Sequence, residues 1–403
     1  MAVGLLQPGV LYPVAGVELA TVATGMRYKG RDDLLLMTLS EASTVSAVFT
    51  QNKCCAAPVT LAKANLAAHS TRALLINSGN ANAVTGEQGM ANAKQSCAAV
   101  ADELGLVPEQ VLPFSTGVIG EQLDMGILRQ GINGLPDKLK EDNWLSASEA
   151  IMTTDTVAKA VSKRIDIAGD TITISGITKG SGMICPNMAT MLAYVATDAN
   201  IAKEDIDSLL HRGVGQSFNK ITVDSDTSTN DALVLMATGK AQKKPLTGEH
   251  IEQFYTQLEG LLVELATSII RDGEGATKFV KVMVENGVDV KDCAAIAYTI
   301  AHSPLVKTAL FASDPNWGRI LMALGKAPVD SLDMSKVDIN IGDVALIIKG
   351  EPAPSYSEEK GKAVFSQDEI SIQINLNLGS ESYHVWTSDL SHGYVSINAD
   401  YRS

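Results

Sequence analysis

The chain has 403 residues, 45% of them apolar and 19% charged, which is enough to bury a substantial core in two or three domains and is ordinary for a globular enzyme. Its formal charge of −14, with no Lys/Arg-rich run, argues against a nucleic-acid surface, because phosphates demand a basic stripe. No stretch approaches the ~18 apolar residues of a membrane span, and the opening MAVGLLQPGVLYPVAGV lacks a basic leader and is broken by prolines, so no signal or transit peptide is expected and the cytoplasm is the default location.

In chain order, Ala73–Ile76 (ALLI) reads as a buried strand that delivers a polar loop, Asn77–Ala83, and a helix follows from about Gln88 to Leu104. A strand-like approach then leads to Ser115. The alternation RIDIAGDTITISGI, with Ala168-Gly169-Asp170 at its middle, predicts a hairpin over Arg164–Ile177 and puts Lys179 at a strand end. Ile251, Phe254, Leu258, Leu261, Leu262, Leu265 and Ile269 repeat with helical spacing, so a helix over Ile251–Ile270 stops at Asp272-Gly273 and presents Glu274 from a loop. Beyond Lys291, CAAIAYTIAHSPLVKTALF reads as one more helical stretch before a DPNWGR loop. The remainder alternates strictly in VDINIGDVALIIKG and ISIQINLNLGSESYHVW and is β-rich, with an exposed Pro-, Ser-, Glu- and Lys-rich loop at 351–362 between the two strand groups. Five cysteines, at 54, 55, 97, 185 and 293, are odd in number with two adjacent, which suits reduced thiols better than a disulfide framework.

The most informative stretch is Lys179–Ala199, KGSGMICPNMATMLAYVATDA, where a Gly- and Pro-rich loop runs into a threonine that opens an apolar strand-like segment. Gly180, Ser181, Gly182 and Pro186 permit or enforce unusual dihedrals, and a strained carbonyl at Ala189 would lie within reach of the Thr190 hydroxyl. An N-to-O acyl shift followed by hydrolysis would free Thr190 as a new N-terminus. Its neutral α-amine, with a reference pKa of roughly 7.7–8.0, can then take the proton from Oγ, so no histidine is required. Loop composition by itself equally describes a Gly-rich turn between two strands.

Nine motifs spread over nearly the whole chain tip that balance: GMRYKGRDDL (25–34), NSGNANA (77–83), STGVIG (115–120), MTTDT (152–156), the KGSGMICPNMATML run, SFNKITVDSDTSTND (217–231), DGEGATKF (272–279), DPNWGR (314–319) and INADYRS (397–403). In this order they resemble the ornithine acetyltransferase family, also called glutamate N-acetyltransferases, self-processing N-terminal-threonine enzymes of arginine biosynthesis. The resemblance implies an α+β fold, a layered sandwich of mixed β-sheets covered by helices with a smaller β-rich C-terminal domain. It divides the chain into a main αββα-type catalytic unit over 1–280 and a smaller unit over 281–403 whose tail returns to the active site. Autocatalytic cleavage between Ala189 and Thr190 would leave an alpha chain 1–189 and a beta chain 190–403, held together because the strand after Thr190 must sit mid-sheet between strands of both pieces.

The same resemblance implies the chemistry. Thr190 is the nucleophile that takes the acetyl group from N-acetylornithine, releasing ornithine, and glutamate's α-amine collects it from the acetyl-threonine ester in a ping-pong cycle. The oxyanion role falls on Thr116 and Gly117; a glycine lets its N–H turn into the site and a hydroxyl adds a second donor, although STGVIG read alone is an ordinary turn. Substrate binding falls on Thr153, Lys179, Thr190, Glu274, Asn398 and Ser403. A lysine suits the α-carboxylate shared by both substrates and a glutamate suits the distal ammonium of ornithine, but other contacts could take either role. Thr154 and Thr156 are alternatives to Thr153, and a functional Ser403 requires a last strand to fold back over the site. No cofactor is implied. Some members of the family also accept acetyl-CoA as donor, and nothing here resembles a nucleotide motif that would decide the matter. The resemblance further implies an α2β2 heterotetramer.

Two readings from other classes stand beside this one: a self-processing aminopeptidase or amidase, since a freed N-terminal nucleophile can hydrolyse as well as transfer, and an uncleaved amino-acid-binding protein. Of the remaining features, Asp224, Asp226 and Asp231 lack the glycine and distal glutamate of a calcium loop and read as a hydrogen-bonded turn. Six scattered histidines show no ligand spacing, so no metal is expected. Neither a G-x-S-x-G nor a phosphate-loop motif is present; Cys185 stands beside the nucleophile loop, but Thr190 explains that loop better, and the Cys54-Cys55 pair reads as packed, free thiols.

Overall fold

The computed structural model describes residues 2–5, 7–185 and 191–400. Three mixed sheets and their covering helices make an α+β architecture. The first sheet runs β1 (Val17–Val22), β2 (Leu34–Leu39), β4 (Ala73–Asn80), β5 (Val111–Val118), with β4 and β5 parallel. In the second the order is β3 (Thr44–Phe49), β10 (Ala232–Ala237), β8 (Leu192–Thr197), β7 (Asp170–Lys179), β6 (Lys159–Ile167). Here β8 takes the central place, antiparallel to β7 and parallel to β10. The third runs β14 (Glu351–Pro352), β13 (Val344–Ile348), β12 (Asp338–Ile341), β15 (Glu369–Asn375), β11 (Phe279–Gly287), β16 (Glu381–Ser388), β9 (Ile221–Thr222).

Period-two alternation explains how the first two sheets stack. Leu35, Met37, Leu74, Ile76 and Phe114 share one core with Tyr194, Ala196, Val234 and Met236, which places the sheets face to face. Their alternates turn outward: Leu34, Leu36 and Leu75 pack with α2 (Gly86–Leu104) and α3 (Met125–Ile132), while Ala193, Val195, Leu233 and Leu235 pack with α5 (Lys203–Gln216) and α6 (Glu249–Arg271). Strands covered on both faces read as continuous apolar runs, as ALLI and LVLM do. Ala62 of α1 (Ala57–Ala68) and Trp144 of α4 (Trp144–Ala150) complete the core between the sheets. A separate core, including Val282, Ile296, Ile300, Ile339 and Ile372, joins the third sheet to α7 (Val290–Ala301), α8 (Pro304–Phe311) and α9 (Trp317–Gly325).

The hairpin forms where its sequence places it: Ile167 pairs with Asp170 across a two-residue turn in which Ala168 (φ 55°) and Gly169 (φ 90°) both adopt positive φ. Elsewhere local capping overrides periodicity. The stretch after Lys291 is two helices, because Ser303 accepts from the Val306 N–H at 3.5 Å and Pro304 cannot continue the preceding helix. Asn316 caps α9, so Trp317-Gly318-Arg319 is helical and not loop. The expected loop at 351–362 holds β14 and the start of α10 (Glu358–Phe365), which Ser357 caps. The C-terminal segment is also a helix and not the expected strand: Ser391 accepts from the Gly393 N–H at 3.0 Å and opens α11 (His392–Ala399). Among the described residues no helix is long and apolar enough to cross a membrane, and no disulfide joins the cysteines.

Leu265 of α6 is fully buried and lies over Gly176 of β7, where the missing side chain makes room for it. Leu265→Ala is expected to lower stability by roughly 2–5 kcal/mol, read from the urea-unfolding midpoint, while Thr256→Ala on the exposed face of the same helix should change it by less than about 0.5 kcal/mol.

Candidate active site

Parallel strands β4 and β5 deliver two polar loops side by side. Ser115 Oγ donates to Asn77 Oδ1 (2.6 Å) and Asn77 Nδ2 to the Asn80 carbonyl (2.8 Å). Asn230 Nδ2 ties both loops to the start of β10, donating to the carbonyls of Ala81 (2.6 Å) and Ser115 (2.9 Å). Gly117 pairs with Gly79 at φ 133°, and a Cβ there would fall on the Gly79 and Asn80 backbone, so only glycine fits. The two loops, the end of β7 with Lys179, the loop before β6 with Thr153 and the loop after α6 with Glu274 line one open cavity.

Thr116, Gly117, Thr153, Lys179, Glu274 and Asn398 all line this one cavity. They come from five separate segments of the chain. Ala189, Thr190 and Ser403 lie outside the described residues; Met191 and Leu192, the two residues that follow Thr190 in sequence, also line the cavity.

A buried cation fixes three of these segments. Lys159 Nζ sits 2.7 Å from Asp155 Oδ1 and 2.6 Å from Asp272 Oδ2, all three side chains at most 1% exposed. Asp155 also accepts from the N–H of Thr153 (3.0 Å) and of Gly180 (2.7 Å), and Asp272 from those of Thr156 (2.9 Å) and Val157 (3.3 Å). Burial by itself would raise the Asp155 carboxyl, but Lys159, Lys179 and these donors hold it well below the usual carboxylate range.

This network also sorts the three threonine hydroxyls. Thr156 Oγ1 donates to Asp272 and Thr154 Oγ1 pairs with Ser181 Oγ at 2.7 Å, whereas Lys179 Nζ donates to Thr153 Oγ1 at 3.3 Å. Thr153 and Thr154 both line the cavity, but only Thr153 reaches its lysine. Burial pulls the Lys179 pKa below the ordinary lysine value, opposed by Asp155, Asp231 and Glu274.

Glu274 follows the end of α6, and its N–H donates to the Ser181 carbonyl (2.8 Å). Its Oε2 accepts from Asn398 Nδ2 at 2.7 Å, and any side chain at Gly182 would overlap its carboxylate. Helix α11, which carries Asn398, is held by Ser391 Oγ donating to the Gly275 carbonyl (2.6 Å) and by Tyr394 OH donating to Asp224 Oδ2 (3.2 Å). The tail therefore reaches the cavity as a helix.

Of the three aspartates expected to share one hydrogen-bonded turn, Asp224 and Asp226 do and Asp231 does not. Asp224 accepts from the N–H groups of Met183 (2.7 Å), Ile184 (2.9 Å) and Asp226 (3.3 Å) and anchors the cavity rim. Asp231 instead lines the cavity, 3% exposed, with Oδ2 lacking a hydrogen-bond partner. Cys185 lies 3.6 Å from His302 Nε2, and burial pushes its thiol up to about 11, so it stays protonated. Sequence reasoning missed Asp231, Lys159 and Asp272; the first sat within a recognised motif, and the lysine looks like any charged residue on a strand.

The ArgJ family matches residues 18–403, and the chain belongs to that family. It is 49% identical over 406 residues to the arginine biosynthesis bifunctional protein ArgJ of Pseudomonas fluorescens (strain Pf0-1), covering 100% of both chains. To the protein of the same name from Methylococcus capsulatus it is 50% identical over 395 residues, covering 98% of this chain and 97% of the relative. Among solved structures it is similar to ornithine acetyltransferase complexed with ornithine from Mycobacterium tuberculosis, at 31% identity and a TM-score of 0.38, covering 44% of this chain and 94% of that one.

Removing the cation while leaving two buried carboxylates is the most damaging single change in the network. Lys159→Met is expected to cost about 3–5 kcal/mol in urea unfolding; a loss below about 1 kcal/mol would show that the carboxylates do not depend on it.

Proposed function

We propose that this chain transfers the acetyl group of N2-acetyl-L-ornithine to L-glutamate, giving L-ornithine and N-acetyl-L-glutamate in arginine biosynthesis, through an acetyl ester on Thr190. The observation that carries the reading is the convergence of Thr116, Gly117, Thr153, Lys179, Glu274 and Asn398 on one cavity that Met191 and Leu192 also line. Cleavage between Ala189 and Thr190 makes the nucleophile, and its α-amine serves as base. Thr116 and Gly117 donate to the tetrahedral oxyanion; the positive φ that only glycine tolerates at 117 supports a backbone fixed for that purpose.

Lys179, beside the Thr153 hydroxyl, receives the α-carboxylate common to both substrates, and Glu274, oriented by Asn398, receives the distal ammonium. Ser403 completes the site from the chain terminus. Neither half-reaction requires a cofactor, and acetyl-CoA acts as a second donor in a bifunctional enzyme, in keeping with the names of the two relatives. The enzyme works in the cytoplasm.

After cleavage the pieces 1–189 and 190–403 stay one folded unit. The position of β8 between β7 and β10 supports this, as does a core that mixes Ile172, Ile174 and Ile184 with Ala193, Val195 and Leu233, each Å² of buried apolar area contributing about 25 cal/mol. The catalytic unit spans 1–280 and a smaller one 281–403; the core beneath the third sheet, drawn wholly from residues 280–385, supports that division. Two cleaved protomers assemble as an α2β2 heterotetramer.

Purified chain should convert N-acetylornithine and glutamate to ornithine and N-acetylglutamate, with double-reciprocal lines that stay parallel as glutamate is varied. Converging lines would contradict the acetyl-threonine intermediate, and acetate release without glutamate would contradict the transferase and favour the amidase. Glu274→Gln should raise KM for N-acetylornithine by about 10- to 100-fold, the worth of a charge-assisted hydrogen bond, and leave self-cleavage intact; equal loss of both would make Glu274 structural.

A further inference from the structure

Near neutral pH each half-reaction of the acetyl transfer proposed above exchanges one proton beyond that of the threonine hydroxyl. The α-amine of Thr190 can take the Oγ proton and pass it to the departing nitrogen of N-acetylornithine, but ornithine ends as an ammonium with one proton more, and glutamate arrives as an ammonium that cannot attack until it loses one. A second group in the cavity that gives a proton in one half-reaction and accepts one in the other would meet both needs.

The wall of the cavity offers one carboxyl for this. Asp231 closes the loop before β10, and its neighbour Ala232 donates its N–H to the Met191 carbonyl at 3.0 Å, so Asp231 begins the strand that runs parallel to β8. The preceding residue, Asn230, is tied to the Ser115 carbonyl, which sets Asp231 beside the Thr116–Gly117 segment. Its own carbonyl accepts from the Thr50 N–H at 2.9 Å, so the backbone is held from both sides. Yet its carboxyl, 3% exposed, keeps Oδ2 without a hydrogen-bond partner. A buried polar atom left unpaired is costly, which a role in the cavity it lines would explain.

The geometry points to Asp231 as the catalytic acid and base of the reacting nitrogen, giving a proton to the departing amine of N-acetylornithine and taking one from the incoming ammonium of glutamate. The inference rests on the acetyl-threonine reading of the site. In the first half-reaction the bond from the acetyl carbon to Thr190 Oγ forms and its bond to nitrogen breaks. The hydroxyl proton, relayed by the α-amine, and the Asp231 proton both end on that nitrogen, and ornithine leaves as an ammonium. In the second, glutamate's ammonium returns one proton to Asp231. The amine attacks the ester and its surplus proton passes through the α-amine to Oγ as the C–O bond breaks. Every proton is restored at the end of the cycle. Burial pushes the Asp231 carboxyl well above the usual range, against a hydrogen bond from Ser228 and the opposing charge of Lys179, in the direction that favours its protonated form.

Asp231→Asn keeps the shape and removes the acid. Four single-turnover rates decide the matter, two that need the proton shuttle and two that do not. Acetylation of the enzyme by saturating N-acetylornithine and aminolysis of the acetyl-enzyme by glutamate should each fall by about 10²–10⁴-fold, the usual worth of general acid–base catalysis. Acetylation by p-nitrophenyl acetate, whose leaving group needs no proton, and aminolysis by hydroxylamine, already neutral at pH 7, should change by less than about threefold. Asp231→Glu should recover at least about tenfold of the first pair. Equal loss of all four rates, a change confined to half-saturating concentrations, or a variant that melts as the parent does but fails to cleave itself would overturn the assignment. A parent enzyme acetylated by the aryl ester but not by N-acetylornithine would instead overturn the transferase reading.

Discussion

Lys159 carries its ammonium into the interior, where Asp155 and Asp272 meet it and pass the constraint on to the backbone N–H groups of Thr153, Thr156, Val157 and Gly180. The loop before β6, the exit of β7 and the end of α6 are separate in sequence, and of the residues they bring to the cavity Lys179 stands on a strand while Thr153 and Glu274 stand on loops. One cation with two carboxylates, all out of water, gives them a common origin. Such a triad adds little net stability, since desolvation cancels most of the attraction, but each member is costly to lose without the others. Its use here is positional: Thr153, Lys179 and Glu274 each follow or adjoin a residue that the triad fixes.

The layered fold supplies the other half of the site. Parallel β4 and β5 end together, so Ala81 of the Asn77–Ala83 loop and the Thr116–Gly117 turn both line the cavity, and Asn230 bolts both to the start of β10. Because β8 is the central strand of its sheet, it is flanked by β7 and β10 and packs into a core drawn from residues on both sides of it in sequence. A backbone break before it would leave the sheets paired.

Much of this was legible in the sequence where local rules decide. The Ala168-Gly169 turn sets the register of its hairpin, and the apolar stripe of α6 fixes the point from which Glu274 is presented. The family motifs gathered the cavity residues before any geometry was known. What the sequence concealed were choices made by distant partners. Thr153, Thr154 and Thr156 are equivalent on paper, and only Lys179, Ser181 and Asp272 distinguish them. Asp224 and Asp231 belong to one motif, but the first is consumed by backbone donors and the second is left to the cavity. At the C-terminus a single capping serine outweighed the alternation of the strands before it, and the tail arrived as a helix.

The proposed cycle needs Thr190 to become a chain terminus, since its α-amine is the base proposed for both half-reactions. The most direct measurement is the denatured mass of the purified chain beside that of Thr190→Ala. The account predicts two fragments meeting between Ala189 and Thr190 in the parent and one full-length mass in the variant. A single full-length mass in both, with acetyl transfer intact, would contradict it.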